Sequence, residues 1–115
     1  MFNYTQMDES QVQYVTVARV SELPAGERLF MEIASQPVVI FNLGGRYYAI
    51  ADLCPHDDGP VGDGVVSGEQ VSCPRHGARF DLVTGKALSL PAVVDIPAYP
   101  VRVAGDLLQI GVPRA

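Results

Sequence analysis

The 115-residue chain carries two cysteines and two histidines, and all four fall in one pattern: Cys54-x-His56, sixteen residues, then Cys73-x-x-His76. Thiolate sulfur and imidazole nitrogen are the donors that suit zinc, iron and copper, whereas magnesium and calcium prefer oxygen. Two unrelated buried thiols and two stray histidines are the plain alternative, since a cysteine outside a disulfide often serves as a small core residue. Against it stands the concentration of every sulfhydryl and every imidazole in two short, similar stretches, Cys54-Pro55-His56 and Cys73-Pro74-Arg75-His76-Gly77. Such loops can face each other across a shared metal. Two Cys and two His make a zinc site. They also make a [2Fe–2S] site in which two His replace two Cys on one iron. Zinc loops usually pair cysteines in one knuckle and histidines on a helix. Here each loop mixes its ligands, and no helix is predicted after either.

Loops of this kind need rigid elements behind them, and the rest of the sequence supplies strands. Nine prolines and eleven glycines punctuate short runs rich in Val, Ile, Tyr and Phe, which predicts an all-β chain. Val12, Tyr14 and Val17 belong to a first strand, and residues 21–26 to a turn or a single helical turn. Residues 27–33 alternate, with Leu29, Met31 and Ile33 on one face and Arg28, Phe30 and Glu32 on the other. Residues 38–43 form a buried strand by their continuous apolarity, Gly44-Gly45 a hairpin turn, and residues 46–51 the return. A second hairpin spans 100–103 and 107–112 around Gly105-Asp106. These strands suggest a small antiparallel barrel or sandwich. Residues 52–92 read differently: rich in Pro, Gly and Asp, with little alternation, and containing all four candidate ligands. So long an irregular stretch in a compact domain is usually functional.

Length and composition narrow the function classes. A chain of 115 residues and 12.4 kDa is expected to form a single domain, 1–115. Hydrophobic residues at 48% and charged residues at 18% fit a globule rather than a disordered tail. The net charge of −5 argues against nucleic acid and for a basic protein partner. No apolar run reaches the roughly 18–20 residues of a membrane helix, and residues 1–11 lack the basic start and apolar core of a secretory signal. A cytoplasmic, membrane-free monomer is expected. Residues 1–11 are either unstructured or an added edge strand. Asp52, Asp57, Asp58, Asp63 and Glu69 form an acidic run with no intervening base. It reads either as a solvated face or as a docking patch.

At its ligand pattern the chain resembles the Rieske ferredoxin family. The matching text is Cys54-Pro55-His56, Cys73-Pro74-Arg75-His76-Gly77, Phe80-Asp81 and Thr84-Gly85. The lead-in at 39–50 and the close at 99–103 match as well, so the likeness covers nearly the whole chain from Val12. It implies a Rieske-like fold of three small antiparallel sheets with a loop-built cluster-binding tip, its lobe at about 52–92. It implies one Rieske-type [2Fe–2S] cluster, with Cys54 and Cys73 on one iron and His56 and His76 on the other. Pro55, Pro74 and Pro91, with Pro60 and Val61, would cover the cluster, and Gly77 would let an amide approach sulfur.

Neutral imidazoles leave less negative charge on such a cluster than four thiolates do. Its potential therefore lies at about −150 to +300 mV, against about −400 mV for plant-type ferredoxins. High-potential family members carry two extra cysteines, at places held here by Gly59 and Arg75. They also carry a Ser and a Tyr that bond cluster sulfurs, at places held here by Ala78 and Phe80. The resemblance thus implies a low-potential carrier of the dioxygenase-ferredoxin type and not an enzyme. It would pass single electrons from a flavin-dependent reductase to a terminal non-haem iron, ring-hydroxylating oxygenase. A small Rieske subunit of a nitrite reductase, an accessory ferredoxin for iron–sulfur assembly, and a zinc-bound interaction module are the competing expectations.

Overall fold

The computed structural model describes residues 9–54, 59–74, 77–89 and 94–113. Among the described residues ten strands lie in chain order: β1 (Val12–Arg19), β2 (Arg28–Ile33), β3 (Gln36–Leu43), β4 (Arg46–Ala51), β5 (Val66–Ser67), β6 (Gln70–Ser72), β7 (Arg79–Asp81), β8 (Ala98–Tyr99), β9 (Val101–Ala104) and β10 (Leu107–Pro113). They form three antiparallel sheets, ordered β1-β10-β9, β2-β3-β4-β8 and β5-β6-β7. The sheets stay open, and no closed barrel forms among the described residues. The helical content there is two 3-10 turns, Glu9–Gln11 and Val20–Glu22. Among the described residues no helix is long and apolar enough to cross a membrane.

The central sheet explains the apolar run at 38–43. Val39 pairs with Ile50, and Val38 and Ile40 pair with Ala51 and Ala49. Side chains alternate across a strand. Val38, Ile40, Ala49 and Ala51 therefore pack toward Leu108 and Ile110 of β10. Val39, Phe41 and Ile50 pack the other way, toward Val61, Val71, Phe80 and Leu82. Both faces of this antiparallel sheet are buried, so no polar alternation survives in β3. In β2, an edge strand, the expected alternation holds: Leu29, Met31 and Ile33 face the β10 side, while Phe30 and Glu32 are exposed.

The hairpins at 44–45 and 105–106 form as expected. Gly44 and Gly45 both have positive φ, +65° and +96°, and the buried Asn42 side chain closes the turn by accepting the Gly45 N–H. One expectation fails in part. Residues 52–92 are not simply irregular, because the whole β5-β6-β7 sheet lies within them. Its strands are two or three residues long, too short to display a period of two. The polar residues around them are turn groups: Asp81 accepts the Val83 N–H and Thr84 accepts the Lys86 N–H. At Gly85, with φ +78°, a Cβ would lie 1.8 Å from the Ile96 carbonyl oxygen, so the returning chain can approach there only against glycine.

Candidate metal centre

Cys54 lies three residues past β4, and Cys73 lies between β6 and β7. Both are buried, at 0% and 1% exposure, in one apolar group with Val61, Val71, Ala78 and Phe80. Neither forms a disulfide. Their loops close in the same way. The Cys54 N–H donates to the Gly59 carbonyl at 2.7 Å, and the Cys73 N–H donates to the Ala78 carbonyl at 2.7 Å. Each cysteine thus binds the carbonyl five residues on and roots a loop that contains one histidine. The echo between the two sequence stretches is therefore an echo in backbone hydrogen bonding. His56 and His76 themselves, with Pro55, Asp57, Asp58, Arg75 and Pro91, lie outside the described residues. Gly77 adopts φ +71°, and its N–H donates to the Cys73 carbonyl. Its glycine requirement is this left-handed backbone.

The ground beneath the loops is apolar and tied down. Val61 is fully buried in the same apolar group as both cysteines, whereas Pro60 and Pro74 are exposed. Asp52, two residues before Cys54, accepts the Val61 and Gly62 N–H groups at 3.0 and 2.6 Å on one carboxylate oxygen. Arg28 of β2 donates from Nη1 to the Gly62 and Gly64 carbonyls at 2.5 and 2.8 Å. Its guanidinium lies 5.1 Å from the Phe41 ring centroid. Neither role has a sequence signal: Arg28 reads as one polar residue in an alternating strand, and Asp52 as one member of an acidic run.

Among the described residues that run is not one surface. Asp52 is an internal acceptor. Glu69 lies in the β5–β6 turn, at the end of β6 opposite Cys73, where it accepts the Tyr48 hydroxyl and sits 3.9 Å from Arg46. Asp63 is exposed. Asp81 caps its own turn. Accepting Tyr48's proton puts negative charge beside the phenol, and this, with burial second, raises the Tyr48 pKa above the usual tyrosine value.

The donor chemistry fits an iron–sulfur group. Two sulfurs are sunk in a dry apolar floor at the roots of two matched loops, and the sequence places an imidazole in each loop. Side chains packed beside them, those of Val61, Ala78 and Phe80, offer no competing polar group.

Known proteins agree with this arrangement. The Rieske [2Fe-2S] domain profile matches residues 13–100. The 3-phenylpropionate/cinnamic acid dioxygenase ferredoxin subunit of Escherichia coli K12 is 43% identical over 98 residues, 84% of this chain and 91% of that protein. The ferredoxin of carbazole 1,9a-dioxygenase from Nocardioides aromaticivorans IC177 superposes with a TM-score of 0.80 at 32% identity, covering 88% of this chain and 98% of that one. A putative NADH-dependent nitrite reductase small subunit from Mycobacterium tuberculosis superposes at 0.79 with 21% identity, covering 90% and 98%, a likeness of fold alone. The chain belongs to the Rieske [2Fe-2S] domain family, and its cofactor is one Rieske-type [2Fe–2S] cluster.

Proposed function

We propose that this chain is a single-electron carrier, the ferredoxin component of a multicomponent aromatic-ring dioxygenase. It takes electrons from a flavin-dependent reductase and delivers them to a terminal non-haem iron oxygenase. The observation behind this reading is the 43% identity to a dioxygenase ferredoxin subunit over 91% of that protein's length. In this role Cys54 and Cys73 hold one iron and His56 and His76 hold the other. When bound, the cluster supplies one-electron redox chemistry at a higher potential than four thiolates allow. The chain's own work is to hold and shelter the group. Val61, Ala78 and Phe80 keep water from the sulfur side, and the two closed loops bring the imidazoles. The chain has no catalytic residues in this reading. It acts as a single domain, 1–115, with a cluster-binding lobe at about 52–92, as a cytoplasmic monomer.

The test is direct. Purified protein is expected to be red-brown, with two irons and two acid-labile sulfides per chain. Its reduced-state electron resonance signal should be that of mixed His/Cys ligation. Reduced protein should support turnover of a purified ring-hydroxylating oxygenase and should lose that ability in His56→Cys. A colourless protein holding stoichiometric zinc would overturn the reading. So would a cluster-loaded protein that no such oxygenase oxidises. The nitrite-reductase and cluster-assembly roles would use the same cluster; the likeness to a nitrite reductase small subunit stands at 21% identity, against 43% for the dioxygenase ferredoxin subunit.

A further inference from the structure

Residues 61–64, which begin at a buried member of the cysteines' apolar group, are gripped by opposite charges from two different strands' ends. From one side Asp52 binds the Val61 and Gly62 N–H groups at 3.0 and 2.6 Å. From the other, Arg28 binds the Gly62 and Gly64 carbonyls at 2.5 and 2.8 Å. The segment lies so close to its supports that two of its positions admit only glycine. A Cβ at Gly64 would lie 1.6 Å from the Ser72 carbonyl oxygen, and one at Gly62 would lie 2.8 Å from the Phe30 ring. The segment therefore touches the roots of both loops: Asp52 stands two residues before Cys54, and Ser72 immediately precedes Cys73. Val61, at the head of the segment, is fully buried in the apolar group that also holds both cysteines.

We propose that Arg28 and Asp52 are positioning residues that clamp this strap over the sulfur side of the centre, and that the clamp holds the reduction potential down by excluding water. The physical step is short. Reduction adds one negative charge to the cluster. A dry surround disfavours that charge and water favours it, so opening the strap raises the midpoint. The inference rests on Cys54 and Cys73 being the sulfur ligands.

Three variants separate the clamp from simple charge. Arg28→Lys keeps the charge but replaces the planar guanidinium with a compact ammonium, which is not preformed to bridge the two carbonyls. Asp52→Ala removes the acceptor. Asp52→Asn keeps an acceptor oxygen without the charge. In cluster-loaded protein, hydrogen exchange of the peptide spanning residues 59–65 is followed by mass spectrometry, and the midpoint by spectroelectrochemistry. Arg28→Lys and Asp52→Ala are expected to speed exchange by about tenfold or more, the scale of a lost charge-assisted bond, and to raise the midpoint together. Asp52→Asn is expected to exchange more slowly than Asp52→Ala. Unchanged exchange in Arg28→Lys would overturn the strap, and faster exchange at an unchanged midpoint would overturn its hold on the potential. If Asp52→Ala does not retain its cluster, Arg28→Lys decides. A wild-type protein without iron and sulfide would instead sink the ligand assignment itself.

Discussion

Ala78 and Phe80 sit in the same buried apolar group as both cysteines, each at 0% exposure. Neither side chain can donate a hydrogen bond. A donor to cluster sulfur strengthens as negative charge accumulates, so its absence keeps the potential low. Phe80→Tyr and Ala78→Ser each return a hydroxyl to that floor. If the new bond is about 1.4 kcal/mol stronger in the reduced state, the midpoint rises by about 60 mV for one electron. Spectroelectrochemistry checks this, and a midpoint unmoved in both variants would mean the hydroxyls do not reach sulfur. The four candidate ligands stand out in the sequence because their chemistry is local, a matter of type and spacing within two short loops; the structure places Cys54 and Cys73 in one buried group, and His56 and His76 lie outside the described residues. Arg28 and Asp52 do not stand out, because their partners are backbone groups of residues 61–64, nine to thirty-six positions away, and a backbone amide or carbonyl has no sequence signature. Asp52 even misled, since five acids in a row of eighteen residues look like one face until the fold assigns two of them internal partners.

Between elements, two joints carry measurable strain or coupling. The β2–β3 hairpin turns on Ala34 and Ser35, with φ of +51° and +66°. Both central residues of a two-residue turn thus sit in the left-handed region without being glycine or asparagine, at roughly 1 kcal/mol each. Ala34→Asn with Ser35→Gly is expected to raise unfolding stability by about 1 kcal/mol, read by denaturant titration; no gain would show that the turn is relaxed as it stands. The second joint ties the central sheet to the β5-β6-β7 sheet through the Tyr48 hydroxyl and the Glu69 carboxylate. Glu69 raises the Tyr48 pKa in the folded state. The folded chain then holds that proton more tightly than the unfolded one. The stabilisation is complete below the unfolded value of about 10 and is lost as pH rises through the higher folded value. Tyr48→Phe should cost about 0.5–1 kcal/mol at neutral pH, since the pair is partly exposed, and the difference should vanish in strong alkali. A gap that persists there would assign it to packing instead. Apart from the two-residue β8, the paired elements of the central and β1-β10-β9 sheets were visible in the sequence because each of those strands runs four residues or more and most of their hairpin turns carry glycine or a polar pair. The exceptions are the β2–β3 turn, whose Ala-Ser gives no signal, and the short strands β5, β6 and β7. Only the family resemblance, not periodicity, announced a third sheet.

At the scale of the whole molecule, charge has to be judged against screening. The chain carries −5 in all, but within the acidic run Asp52 is taken up by the 61–62 amides and Glu69 by the Tyr48 hydroxyl and Arg46. The molecule measures 39 × 30 × 22 Å. At about 0.01 M salt the Debye length is roughly 30 Å, and a partner senses nearly the entire net charge. At about 0.15 M it is roughly 8 Å, and only groups at the contact count. A carrier steered by its overall field toward a basic partner should therefore show a second-order transfer rate that falls steeply between about 0.01 and 0.1 M salt and then levels off. Removing the exposed Asp63 by Asp63→Asn should change the low-salt rate less than twofold, because it takes away one charge of five. Stopped-flow mixing of the reductase with this protein across that salt range reads both quantities. A rate that climbs with salt would mean an acidic partner face, and a large Asp63→Asn effect would mean that steering is local after all, concentrated on the strap, where Asp63 lies.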